Sequence, residues 1–168
     1  MDEKGQTLFQ EFIRADQLGI RLEMVGGLPI WEAQPVLRHQ RAVDRIRDSI
    51  KPTASTGNGC GCIHVADIYI QFPDGSLKRP DVSIFCDEPE EQDEAVTMVP
   101  EAVIEVISRG YEAKDLDIGP GFYLSQGVKD VVIFNPHTLV VLHIRKEEVA
   151  RHVSPVVLNL SCGCSCEV

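Results

Sequence analysis

The sequence predicts a mixed α/β, or α+β, single domain. Two observations carry this. Short Val/Ile-rich runs recur through the chain, at 63–72, 79–85, 102–108, 131–134 and 139–144. Two amphipathic helical patterns and a short third one lie among them without strict βαβ repetition. A chain of 168 residues, 43% hydrophobic, is long enough to hide roughly 68–70% of its unfolded surface without a metal or disulfide staple.

Leu8, Phe9, Phe12, Ile13 and Leu18 fall on one side of a helix over 8–18. Arg21–Val25 alternates, Gly26-Gly27 turns, and Leu28–Glu32 returns as the second arm of a hairpin. From Pro35, residues Val36, Val43, Ile46 and Ile50 recur at near-helical spacing among Arg38, Arg41, Arg45 and Arg47, and the helix must end before Pro52. A Gly/Ser/Thr/Asn loop over 53–62 leads into a strand over 63–72, which Pro73-Asp74-Gly75 turns. A strand over 79–85 follows, then a solvated loop from Asp87 to Glu101 with seven acidic residues and no basic one. Residues 102–108 read as a strand buried on both faces. Residues 110–121 are irregular: Asp115–Asp117 suggests a helical turn, and Gly119-Pro120-Gly121 interrupts it. A helix resumes over 122–126 and stops at Gly127. Strands over 131–134 and 139–144 flank a turn at Asn135–Thr138.

Sixteen basic against 26 acidic residues give a net charge of −10, which excludes a broadly basic nucleic-acid wrapper. It leaves room for a local basic rim and a metal-assisted site, because four arginines cluster between Arg38 and Arg47. With no apolar run of membrane-spanning length and no secretory leader, a cytoplasmic protein without membrane contact is expected. Six cysteines form two dense groups with Cys86 between them: Cys60-Gly61-Cys62, and Cys162, Cys164 and Cys166 in a Cys-rich C-terminal tail, 161–168, beyond a domain spanning 1–160. Zinc ligands usually follow C-x₂₋₄-C rather than C-x-C. A mobile tail of reduced, redox-reactive thiols is the favoured reading, and a Zn²⁺ site at the cysteine pairs is the alternative. Disulfides have no support without a secretory signal.

Glu105 lies inside Ala102–Ser108, where an ionised carboxylate needs a partner. A structural partner, a metal ion or a catalytic role would each account for it. Asp81 follows Pro80 at a strand start, an ordinary turn position. If the two strands pair, the carboxylates meet at one sheet end as a hard-oxygen site for Mg²⁺ or Mn²⁺. His39 beside Arg38 and Arg41 is either a surface histidine or a phosphate contact. Glu23 is either a third carboxylate or the polar face of its strand.

Pro80-Asp81-Val82, Glu105-Val-Ile-Ser108, Tyr123-Leu-Ser-Gln-Gly-Val128 and Val131-Val-Ile-Phe-Asn-Pro136, in this order and spacing, resemble the Uma-type restriction endonuclease family, a branch of the PD-(D/E)XK nuclease superfamily. Glu23-Met-Val-Gly-Gly27 and His39 after Pro35 match its amino-terminal pattern, so the resemblance runs from about residue 21 to residue 145. It implies a restriction-endonuclease-like central mixed sheet flanked by helices, Asp81 and Glu105 as metal-binding pair, and metal-dependent hydrolysis of phosphodiesters in DNA. A homodimer would suit cutting both strands. The pattern departs from the superfamily at its lysine: the position two beyond the glutamate is Ile107, and the helix position used in this branch is Gly119, although Asp115 is retained. Lys114 is the nearest amine, and Gly119-Pro120-Gly121 is expected to break the helix that carries the lysine. A catalytically weakened protein that binds nucleic acid or a protein partner is the rival expectation.

Overall fold

Helix α1 (Glu3–Gln17), the hairpin β1 (Leu22–Val25) and β2 (Leu28–Trp31), helix α2 (Leu37–Ser49) and a short strand β3 (Lys51–Pro52) open the chain. The structure is a computed structural model that describes residues 3–53, 59–91, 93–110, 112 and 114–168. The hairpin and α2 fall where the hydrophobic pattern places them. The expected strand over 63–72 is instead two, β4 (Ile63–Val65) and β5 (Ile70–Gln71), which belong to different sheets. Between them Asp67 takes the left-handed φ of 58° that Asp tolerates better than most residues. Its carboxylate is anchored there by Arg21 Nη2 at 2.6 Å and Arg79 Nη2 at 3.1 Å.

After β6 (Leu77–Lys78) come β7 (Val82–Phe85), β8 (Ala102–Val106), helix α3 (Gly119–Ser125), β9 (Asp130–Phe134), β10 (Val140–Arg145) and β11 (Glu148–Val153). The central sheet has six strands in the order β11-β10-β9-β8-β7-β4, and it is mixed: β8 and β9 are parallel, the other pairs antiparallel. Alternation along its middle strands assigns the two faces. Val82, Ile84, Ile104, Val106, Val132 and Phe134 pack with Ala42, Val43 and Ile46 of α2. Phe85, Val103, Val131 and Ile133 pack with Phe122 and Tyr123 of α3. Burial on both faces is why these strands read as continuous apolar runs, and each such side chain contributes about 1.5–3 kcal/mol. A smaller sheet, β2-β1-β6-β5, carries α1 through Phe9, Phe12, Tyr69 and Leu77.

Further expectations fail. Disulfides, which had no support in the sequence, join Cys60 to Cys86 and Cys62 to Cys164. Gly119-Pro120-Gly121 does not break the helix but starts it: a π-helical turn (Lys114–Ile118) runs directly into α3, and Pro120 sits in the first turn, where an N–H is dispensable. The segment 161–168 is no mobile tail. Strand β13 (Cys164–Glu167) lies between β12 (Val157–Asn159) and β3, and Cys162, Cys164 and Cys166 are buried. Burial pushes the Cys162 thiol up and the Cys166 thiol up to about 12, which disfavours their thiolate forms. Asp130, fully buried at the start of β9, fixes this end of the chain by accepting from His143 (2.7 Å), Arg145 (2.7 Å) and the Ser161 N–H (2.8 Å). Among the described residues, no helix is long and apolar enough to cross a membrane.

Candidate active site

Strands β7 and β8 pair with Val82 opposite Ile104, so the next step of the register sets Asp81 against Glu105. The two residues are tied together through the backbone. The Asp81 N–H donates to Glu105 Oε2 (3.3 Å), and the Val106 N–H donates to Asp81 Oδ2 (2.7 Å). Glu105 shares the parity of Val103 and so points to the α3 face, where the Tyr123 hydroxyl donates to Oε1. Burial first, then the charges of Glu105 and Glu23, hold the Tyr123 pKa well above the usual phenol value, so the hydroxyl keeps its proton. The partner that a carboxylate in this strand demanded is therefore a tyrosine one helix away.

Helix α2 brings His39 to the same point, with Nε2 3.1 Å from Asp81 Oδ2. Burial pushes the imidazole pKa down, but the hydrogen bond and charge of Asp81, helped by Asp115, outweigh it, so the pKa ends raised. Asp115 itself is buried on the π-helical turn. Arg21, His39, Asp67, Asp81, Ser108 and Asp115 line one pocket of about 70 Å³, large enough for several waters or a hydrated cation. Val106, rather than Glu105, is its β8 wall. Four carboxylates line this pocket, Glu32, Asp67, Asp81 and Asp115, of which Glu32 and Asp67 are paired with arginines, and Glu105 lies directly behind Asp81. Carboxylates as hard donors fit Mg²⁺ or Mn²⁺.

The other candidates fall in three places. Glu23 is fully buried, accepts from Lys78 Nζ (2.7 Å) and the Arg79 N–H (2.8 Å), and backs the site instead of lining its pocket. Arg38 and Arg41 are exposed on α2. Arg38 Nη1 donates to His137 Nδ1 at 2.8 Å, and a groove lined by Arg38, His39, Ser108, Arg109 and His137 shares His39 and Ser108 with the carboxylate pocket. Lys114 begins the π-helical turn, but its side chain lies outside the described residues. Arg21, Asp67, Ser108 and Tyr123 escaped sequence reasoning as site members, and so did two more residues. Asp115 stood out only through the resemblance. Lys78, buried with its amine 5.0 Å from the Tyr123 ring centre, sits on a two-residue strand that carries no sequence signal of its burial.

A comparison with family models matches residues 9–161 to Uma2, described as "Putative restriction endonuclease". The chain belongs to this family. The Uma2 match covers the pocket, α2 with its arginines, and all six strands of the central sheet. A solved structure, described as "a putative nuclease belonging to DUF820" from Anabaena variabilis ATCC 29413, superposes with a TM-score of 0.64 over 85% of this chain and 83% of that one. At 17% identity that likeness establishes the shared fold. No curated protein matches the chain.

Proposed function

We propose that the protein is a divalent-metal-dependent endonuclease that hydrolyses phosphodiester bonds in DNA. The observation that carries this reading is the meeting of Asp81 and Glu105 at one end of β7 and β8, beside a pocket shared with His39 and Asp115. Asp81 and Glu105, tied together by the Asp81 N–H, would hold the cation, with Asp115 lining the same pocket. Bound there, Mg²⁺ or Mn²⁺ supplies Lewis-acid stabilisation of the charge that develops on the phosphate. The chain's own residues do the rest. The arginine-lined groove on α2 receives the phosphate backbone and leads it to Ser108 and His39. His39, hydrogen-bonded to Asp81 and lining both the pocket and the groove, would orient the phosphate beside the cation.

Membership of the family and a groove of exposed arginines support the nucleic-acid substrate. The amine that superfamily members place beside the metal is assigned to Lys114, which precedes Asp115 on the same turn. Gly119 in the family's lysine position favours one second reading, a binding module that has lost turnover. Incubating the full chain with single- and double-stranded DNA and RNA in Mg²⁺ or Mn²⁺ separates the two. The nuclease reading predicts DNA cleavage that stops on chelation. Loss of an outer-shell residue typically costs about 10–100-fold, so loss of Asp81 should cost more than about 100-fold. Lys114→Ala should lower turnover by about 100-fold. Tight DNA binding with no cleavage of any substrate would select the binding module instead, and rates unchanged in Lys114→Ala would remove the lysine from the mechanism.

A further inference from the structure

Five of the six cysteines converge at the far end of the same strand that carries Asp81. Cys60 and Cys62 lie just before β4, Cys86 follows β7, and Cys162 and Cys164 border the start of β13. The sulfurs of Cys60, Cys62 and Cys164 all lie within 4.8 Å of one another, and so do those of Cys60, Cys86 and Cys162. Cys60 Sγ is 3.5 Å from Cys164 Sγ. Four thiolates held tetrahedrally at about 2.3 Å from a zinc ion stand roughly 3.8 Å apart, the separation already present between Cys60 and Cys164. In the structure four of these sulfurs are joined as Cys60–Cys86 and Cys62–Cys164, and the two pairs meet through Cys60 and Cys164.

We propose that Cys60, Cys62, Cys86 and Cys164, in their reduced form, are the four ligands of a structural zinc ion. The backbone is built for it. A C-x-C pair can put both sulfurs on one ion only if the intervening residue turns sharply, and in Cys60-Gly61-Cys62 that residue is glycine. Gly61 donates its N–H to the Cys86 carbonyl at 2.9 Å, and a Cβ on it would stand 3.0 Å from that oxygen. Gly163 has a φ of 91°, in the region that glycine alone enters freely. Cys62 adopts a left-handed φ of 49°, unusual for a residue with a side chain. Cys62 and Cys164 are buried, while Cys60 and Cys86 are half-buried and leave a path for the ion. All four donors are thiolates and no position is left for substrate, which is the pattern of a structural site and not a catalytic one. Cys162 and Cys166 remain thiols, buried beside the site.

The chemistry balances with a phosphine reductant. Phosphine and water convert each disulfide into two thiols and leave a phosphine oxide. The zinc ion then takes the place of one proton on each of the four thiols, and the protons pass to buffer. So placed, the ion clamps three segments far apart in sequence: the loop before β4, the end of β7 and the carboxy-terminal strand.

The test is the metal content of the full chain, produced with zinc in the medium and purified without oxygen in a phosphine reductant. The expected result is about one zinc per chain. Single Ser substitutions at Cys60, Cys62, Cys86 and Cys164 should each remove it, while Cys162→Ser and Cys166→Ser keep it. Should a variant fold poorly, cobalt titration of the metal-free wild type reads the site directly: four thiolates give intense sulfur-to-cobalt charge transfer and tetrahedral d–d bands. A reduced, folded chain without zinc and without those bands would overturn the proposal, as would disulfides that persist in the reductant. Zinc lost in Cys162→Ser but kept in Cys86→Ser would overturn the assignment of the fourth ligand.

Discussion

Strand β7 starts beyond Asp81, whose Oδ2 accepts from the Val106 N–H and meets His39, and it stops before Cys86, whose sulfur lies against Cys60. Five residue steps, roughly 16 Å, separate a carboxylate site from a sulfur site on one rigid element. The oxygen end borders a small pocket that continues into a groove of exposed arginines and lies beside a protonatable imidazole. The sulfur end is closed, uses all its donors on itself, and knots the chain terminus into the core. Hard oxygens and soft sulfurs select different ions. A protein can therefore keep a labile catalytic cation and a permanent structural one on the same strand without exchange between them. The difference also sets what each end should do when broken: the oxygen end should cost activity and the sulfur end stability.

The largest expected effect is at the oxygen end. Asp81→Asn, which keeps the shape and removes the charge, should reduce metal-dependent DNA cleavage more than about 100-fold while leaving the melting temperature nearly unchanged. A large loss of stability with it would make Asp81 a structural residue and erase the contrast.

Next comes the pair that backs this end. Glu23 and Lys78 are both fully buried and 2.7 Å apart. Lys78→Met strands a buried carboxylate and should cost about 3–5 kcal/mol in urea unfolding. Glu23→Gln combined with Lys78→Met should recover most of that loss. A single variant as stable as wild type would show that the pair is not the floor of the site.

A smaller effect is expected where the carboxy-terminal segment is held. Burial favours the neutral form of Asp130, but the bonds from His143, Arg145 and Ser161 win and lower its pKa from 3.8 to about 2. A depressed carboxylate stabilises the fold above its unfolded pKa and loses that contribution as pH falls from about 4 towards 2. The contribution is roughly 2 kcal/mol, and Asp130→Asn should remove both it and this part of the acid dependence. A variant with an unaltered pH–stability curve would refute the role.

The smallest effect belongs to the rim of the oxygen end. Arg109→Ala, in the groove beside Ser108, should weaken DNA binding uniformly across sequences and lower the slope of log affinity against log salt by about 1. An unchanged slope would place the DNA elsewhere.

Much of this layout is written in local pattern. The hairpin, α2 and the middle strands follow from alternation, helical spacing and Gly or Pro punctuation. Glu105 shows because a charge inside an apolar strand is conspicuous. The switch of sheets at Asp67 does not show, because its cause is the distant Arg21 and nearby Arg79, which make a left-handed aspartate tolerable. Nothing before the structure placed β11, an exposed edge strand, or β12 and β13, whose burial depends on packing against α2 and the central sheet. Lys78 hides because a lysine on a two-residue strand looks solvent-exposed until Glu23, 55 positions away, is brought to it. The cysteines mislead for a related reason. C-x-C spacing argues against metal when each pair is judged alone, and only the fold sets Cys86 and Cys164 beside Cys60.

The division of labour between the two ends has one direct test, calorimetric titration of Mn²⁺ into the full reduced chain carrying zinc. Saturable Mn²⁺ binding should be present in wild type and in Cys60→Ser, and absent in Asp81→Ala. Mn²⁺ binding that survives Asp81→Ala, or disappears with Cys60→Ser in a chain that remains folded, would contradict the account.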